Sequence, residues 1–271
     1  GGEFLMDFQQ FYGMTHNPFE KDSKEVIETI DMKEMTYRLN YLKEVRGIGV
    51  FTGRSGVGKT WILHQFIKGL NPNTYKTSLI QLTTVSVSDF YNQLAESLGL
   101  EPAFRKAAKF KQIQERIHEL YDIERMVPVI VIDEAQYLNG QIFHELLLLL
   151  NFDLDTKRNC IVILSGLPTL SNQLNRNSLE AFKQRIVTNY QAVGLDKEEV
   201  SHYVCKKLEA AGTSSKLISD GVLPTILSSA GDSIRSLNRL ITQCLIIGAM
   251  KGELAITNET VESACTELRL S

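Results

Sequence analysis

Several things are scarce in this sequence. It has four cysteines in 271 residues, Cys160, Cys205, Cys244 and Cys265, scattered with no C-x-x-C pair. That spacing indicates neither a zinc site nor a disulfide framework, and it suits a reducing cytosol. Neither charge dominates: 29 Lys and Arg against 32 Asp and Glu leave a net charge of -3. The surface as a whole is no magnet for polyanions, so a nucleic-acid partner would need a local basic patch. Long apolar runs are missing too. The strongest, Leu146 to Leu150, is far too short to span a bilayer. No signal peptide opens the chain, and "GGEFLM" reads as a tag remnant ahead of Met6. There is no repeat and no low-complexity segment. What remains is an ordinary globular composition, 43% hydrophobic and 23% charged, with length for one large or two modest domains. The expectation is a cytoplasmic protein with no membrane segment.

Glycine, by contrast, is concentrated where it is costly. "FTGRSGVGKTW" (51 to 61) sets three glycines and a lysine directly behind the apolar "IGVF". Glycines this close give up much backbone freedom on folding, and the usual compensation is a backbone that must come very near something. Gly53, Gly56, Gly58, Lys59 and Thr60 fit G-x-x-x-x-G-K-[ST], the phosphate-binding P-loop; Val57 and Trp61 complete the stretch.

The surrounding pattern supplies the right context. An irregular lead-in, "YGMTHNPFEKD" (12 to 22), is broken by Asn17 and Pro18. Asp31 is placed to cap a helix carrying Met32, Met35, Leu39 and Leu42, which Gly47 ends. "IGVF" is a short buried strand, and a helix runs from about Lys59 to Lys68. "SLIQL" (78 to 82), "VPVIVID" (127 to 133) and "CIVILSG" (160 to 166) are further strands. The second of these is β-branched without polar alternation, the mark of a central parallel strand. Helical stretches separate the strands, which implies a parallel sheet with helices on both faces. Beyond about Leu195 four helical segments follow. The reading is an α/β class chain: a lead-in over 1–30, an α/β core over 31–195 and a small all-helical lid over 196–271.

Each motif carries chemistry. Backbone N–H groups of 54 to 60 would form a concave nest for the β-phosphate, reinforced by the helix N-terminus. Lys59 would bridge the β- and γ-phosphates of ATP, and the Thr60 hydroxyl would ligate Mg²⁺. In "VIVIDEAQ", Asp133 ends an apolar strand where its carboxylate would hold the Mg²⁺ shell. Glu134 would orient and deprotonate the attacking water. Ser165, at the tip of the neighbouring strand, is a candidate to align that water or else a strand-end turn with Gly166. Arg185 and Arg235 are candidates to stabilise charge in phosphoryl transfer, although any single arginine is more often a solvated surface group.

Read together, these residues resemble an AAA+ ATPase. More narrowly, the chain is similar to the branch holding ExeA-type secretion ATPases and the transposition regulators TniB, TnsC and Mu B. The likeness covers nearly the whole chain from Phe11. "FYGMTHNPFEKD" resembles that branch's "FGL…NPF", "VIDEAQ" is shared, and "LDKEEVSHYVCKKLEAAG" and "AGDSIRSLNRL" resemble two specific segments further on. The resemblance implies a P-loop AAA+ core with a nucleotide held between core and lid. It implies Arg235 as the lid arginine that senses the γ-phosphate, and Arg185, with Arg176 as the fallback, as the finger reaching a neighbouring copy's ATP. Two positions depart from the branch: Ser165, Gly166 and Leu167 stand where it has "VG" and Gln or Thr, and Ile234 replaces a proline.

ExeA-type proteins continue into a membrane span and a peptidoglycan-binding domain, and the expectation for this chain is neither. A freestanding ATPase of this size is more similar to the transposition regulators. For those the resemblance implies an ATP-bound ring or helical filament on duplex DNA, held without sequence preference and serving a transposase. It implies DNA contacts in the segment before the long helix, here Arg105, Lys106, Lys109 and Lys111, with no acidic residue between 102 and 114. The plainer reading of that segment is a solvated helix face. The expected function is therefore a DNA-stimulated, Mg²⁺-dependent ATPase that forms homo-oligomers and directs a transposase. The alternatives are an ExeA-like assembly ATPase and a nucleotide-switched module with negligible turnover. A tandem-domain helicase is set aside, because there is room for only one α/β domain.

Overall fold

The computed structural model describes residues 7–20, 25–81, 86–150 and 158–269. The elements run α1 (Phe8–Phe11), α2 (Ile30–Val45), β1 (Gly47–Gly53), α3 (Lys59–Lys68), β2 (Tyr75–Gln81), α4 (Val87–Ser97), α5 (Lys106–His118), β3 (Val127–Asp133), α6 (Gly140–Leu150) and β4 (Ile161–Gly166). After them come α7 (Thr169–Leu174), α8 (Glu180–Lys183), β5 (Ile186–Ala192), α9 (Lys197–Ala210), α10 (Leu223–Ala230), α11 (Ile234–Lys251) and α12 (Asn258–Arg269). The described residues gather into two compact units. One lies within Asp31–Arg54 and Lys59–Ala192, the other within Gly1–Ile30, Ser55–Gly58 and Val193–Ser271.

The first unit is a five-stranded parallel sheet, ordered β2-β3-β4-β1-β5, with helices around it. β3 is buried at every position, as its run of Val and Ile requires of a strand covered on both faces. Val50, Ile132 and Leu164 of the sheet share a core with Phe90 and Leu94 of α4, Ile113 and Ile117 of α5, and Phe143 of α6. α4 starts where Ser86 caps it, its side chain accepting from the Asp89 N–H. Two features differ from the sequence reading. Asp31 does not cap α2. It lies inside the helix, 3% exposed, and its Oδ1 accepts from the Tyr190 hydroxyl at 2.8 Å. The fifth strand, β5, gave no signal because it lacks the continuous apolar run of its neighbour β1: Thr188 is half-buried, and Asn189 and Gln191 are polar and exposed.

The second unit is helical. Leu208, Leu240, Ile241, Cys244 and Leu245 form its centre, and Met14 and Phe19 of the lead-in join them. The lead-in is irregular after α1, yet it is anchored: Thr15 N donates to Ala211 O at 2.9 Å and Thr213 Oγ1 to Tyr12 O at 2.8 Å. Asp196 and Glu199 form a reciprocal capping box at the start of α9. Ser233 caps α11, which ends at Gly252 in the left-handed region (φ 70°).

Candidate nucleotide-binding site

The parallel register sets the C-terminal ends of β1, β4 and β3 side by side, where open α/β sheets bind their ligands. β1 stops at Gly53, and α3 starts at Lys59. Lys59 is 8% exposed, and its Nζ donates to Gly53 O at 2.7 Å and Arg54 O at 2.9 Å. Backbone carbonyls thus hold the buried ammonium at the mouth of the strand. Thr60, the next residue on α3, donates from Oγ1 to Asp133 Oδ2 at 3.1 Å. Residues 73 positions apart are therefore brought together. The other Asp133 oxygen accepts from the Glu134 N–H at 3.0 Å.

Glu134 is exposed and adopts φ 54°, ψ 35°. A non-glycine residue rarely takes this left-handed conformation, and such residues cluster at functional sites. Gln136, in the short turn after it, donates from Nε2 to Glu134 Oε2 at 2.6 Å. Its Oε1 accepts from the Leu167 N–H at 2.9 Å. Ser165, expected at this place, is fully buried in β4, and its Oγ has no hydrogen-bond partner among the described residues. The polar group set beside Glu134 is Gln136. The sequence held no signal for it, since its second partner lies 31 residues away.

Residues 55–58 cluster with the helical unit. Gly56 has φ 83°, and a Cβ there would stand 2.3 Å from Ser233 Oγ, so only glycine fits. Arg235 N donates to Gly56 O at 3.2 Å, and Arg235 Nη1 to Ser55 Oγ at 3.3 Å. Gly58 is also left-handed, with Ile234 alongside. Val57 is buried and Trp61 is 37% exposed. Arg185 and Arg176 are exposed, and neither has a side-chain hydrogen bond or ion pair among the described residues.

The basic segment does not present four surface cations. Lys109 is 5% exposed and donates to Ser88 Oγ at 3.0 Å, on the same inward stripe as Ile113 and Ile117. This corrects its expected place on a DNA-facing surface. Lys106 is ion-paired to Glu145, whose carboxylate also takes the Tyr91 hydroxyl. Lys111 lies 3.6 Å from Glu115, one turn on and well exposed. Arg105, at the N-cap of α5, is exposed beside Phe104, which is 98% exposed.

Among the described residues no helix is long and apolar enough to cross a membrane, and no group of three or more His, Cys, Asp or Glu gathers to hold an ion.

A family profile described as an AAA domain matches residues 42–174. The chain is 26% identical over 267 residues to the general secretion pathway protein A of Aeromonas hydrophila, covering 96% of this chain and 48% of that one. It thus spans about half the length of this relative. Among solved structures it is similar to Cdc6p of Pyrobaculum aerophilum, with a TM-score of 0.69 at 15% identity, over 92% of this chain and 70% of that one. It is also similar to the Aeropyrum pernix ORC1 protein in complex with DNA, at 0.66 and 14%, over 93% and 68%. The Thermotoga maritima RuvB Holliday junction branch migration motor is a third, at 0.60 and 16%, over 94% and 74%. The fold of this chain is the AAA+ P-loop fold, a parallel five-stranded sheet flanked by helices and followed by a helical region.

Proposed function

We propose that this chain binds ATP with Mg²⁺ and hydrolyses it, and that it works in several copies on duplex DNA to direct or activate a transposase. The observation that carries the ATPase reading is the pairing of Thr60 with Asp133 at 3.1 Å, with Glu134 next in the chain. A hydroxyl and a carboxylate are hard oxygen donors. They suit Mg²⁺, which keeps several waters and takes one or two carboxylates plus substrate phosphates. Thr60 and Asp133 would hold it, and it would supply charge neutralisation for the phosphates. Lys59 and the N–H groups of 54 to 60 bind the phosphates. Glu134 accepts the proton of the attacking water. Arg235, which already bonds Ser55 of the loop, acts on the γ-phosphate. Arg185, or Arg176, serves the ATP of a neighbouring copy.

The DNA part rests on the family resemblance, on exposed Arg105 and Phe104, and on a fold shared with a protein solved in complex with DNA. A net charge of -3 makes binding local, and few contacts per copy make it depend on ATP-driven assembly. With no base-reading motif, binding is largely sequence-independent. A second reading has its own observation. The similarity to a secretion pathway protein over 96% of the chain favours an assembly ATPase indifferent to DNA.

ATP turnover with and without duplex DNA, over a salt titration, separates the readings. The DNA reading expects stimulated turnover and ATP-dependent binding, with a log–log salt slope of about 0.9 per phosphate contact. Turnover unmoved by DNA favours the secretion reading. Glu134→Gln should keep ATP affinity and lower kcat by about a hundredfold or more; wild-type turnover in that variant would remove Glu134 as the base.

A further inference from the structure

The active-site carboxylate is not held by its own backbone alone. Glu134 follows the last residue of β3 in a strained left-handed conformation and is exposed. Among the described residues, the side-chain hydrogen bond that orients it comes from Gln136, at 2.6 Å. The same amide accepts from the Leu167 N–H at 2.9 Å, at the junction of β4 and α7. Its orientation follows from chemistry. The Leu167 N–H only donates, so the amide oxygen faces it, and the NH₂ is left facing a carboxylate that only accepts. The strand beneath is shaped for this crossing. A Cβ at Gly166 would stand 2.4 Å from Gln136 Oε1 and 3.2 Å from Gln136 N, so a side chain at 166 would displace the amide.

We infer that Gln136 is the positioning residue of this ATPase: one amide ties Glu134 Oε2 to the β4–α7 junction and leaves Oε1 to take the proton from water. The inference rests on the ATP-hydrolysis reading. It also gives the end of β4 a route to the base that does not pass through Ser165, whose hydroxyl is buried. Any shift of Leu167 is carried to the carboxylate through the amide.

The test is Gln136→Met, which keeps length and bulk but neither donates to Glu134 nor accepts from Leu167 in the same way. With the full chain, ATP affinity and Tm should stay at wild-type values while kcat falls about tenfold, the loss of one hydrogen bond to a charged group. Gln136→Glu, matched in shape but setting a carboxylate against Glu134, should fall further. In the Glu134→Gln background, Gln136→Met should change the residual turnover less than twofold, because a residue acting through Glu134 has nothing left to position. A merely structural role predicts the same tenfold drop in both backgrounds. If Gln136→Met folds poorly, Gln136→Glu carries the same comparison. Wild-type kcat in Gln136→Met, or full additivity with Glu134→Gln, overturns the inference and leaves the ATPase reading standing. Absence of turnover in the wild-type chain overturns both.

Discussion

Among the described residues of the sheet unit two lysines are buried, Lys59 at 8% and Lys109 at 5% exposure, and they are buried for opposite reasons. Lys59 starts α3 behind a glycine-rich loop, and two backbone carbonyls face its ammonium. Those acceptors are polar backbone groups at the start of the loop, and on the proposed reading the burial places a cation where the phosphates of ATP would arrive. Lys109 stands on α5 in line with Ile113 and Ile117, and its ammonium donates to the hydroxyl of exposed Ser88. There the alkyl stem fills an apolar stripe and the head reaches the edge of it. Burial alone does not separate a binding lysine from a packing one; the groups facing the ammonium do.

The same substitution at both places should give opposite outcomes, and this is the largest effect expected. Lys59→Met removes the side-chain cation on the β- and γ-phosphates, so ATP binding should weaken by about a hundredfold or more, with the fold intact. Lys109→Met keeps the stem and should leave ATP binding and Tm unchanged, since a hydrophobe of similar volume replaces a buried charge at little cost. Nucleotide titration and thermal melts read both. Wild-type ATP affinity in Lys59→Met would sink the phosphate role. Mixed with Arg185→Ala protein, Lys59→Met should regain some turnover if Arg185 serves the neighbouring copy's site, whereas no regain at any ratio would argue against that role.

How far the sequence was legible follows the range of the interactions. The P-loop and the Asp133–Glu134 pair are read from short spacings whose chemistry needs those residues close in the chain, and the structure joins them through Thr60. β1, β3 and β4, inside the sheet, announce themselves by apolar runs, and β2, at one edge, by its Leu79 and Ile80. β5, at the other edge, does not, because its Asn189 and Gln191 are polar and exposed and leave no apolar run to read. Asp31 reads as a cap by residue type, but its partner is Tyr190, 159 residues on. Gln136 went unassigned in "VIDEAQ" because its role depends on Leu167. The basic segment misled for the same reason. A run of Lys and Arg shows how much charge there is, but not that Glu145 and Ser88, from other helices, take two of the cations.

A middle-sized effect sharpens the comparison within that segment. Lys109→Glu puts a carboxylate on an apolar stripe against a neutral hydroxyl, and should cost about 3 kcal/mol of stability, seen as a lower urea midpoint. Arg105→Glu, on the exposed N-cap, should leave the midpoint where it is and weaken ATP-dependent DNA binding with a flatter salt slope. If Arg105→Glu binds DNA as wild type does, the segment is a solvated helix face.

The smallest effect concerns Lys106, a lysine with two claims on it. Burial pushes the Glu145 carboxyl up, but hydrogen bonds from Lys106 and Tyr91, with the charge of Lys106, outweigh it and hold the group below the usual carboxylate range. A carboxyl lowered by folding stabilises the protein at pH above its unfolded value, and that contribution disappears as pH falls through the folded value. Lys106 is 56% exposed, so solvent screening keeps its share small, under about 1 kcal/mol. Lys106→Ala should therefore show its full deficit in urea unfolding near neutral pH, and the deficit should shrink as the pH is lowered through and below the carboxylate range. Salt should shrink it too. If the deficit is the same at every pH, Glu145 does not engage the ammonium in solution. Lys106 then joins Arg105 on the exposed face, and the basic patch is larger than the folded chain presents it.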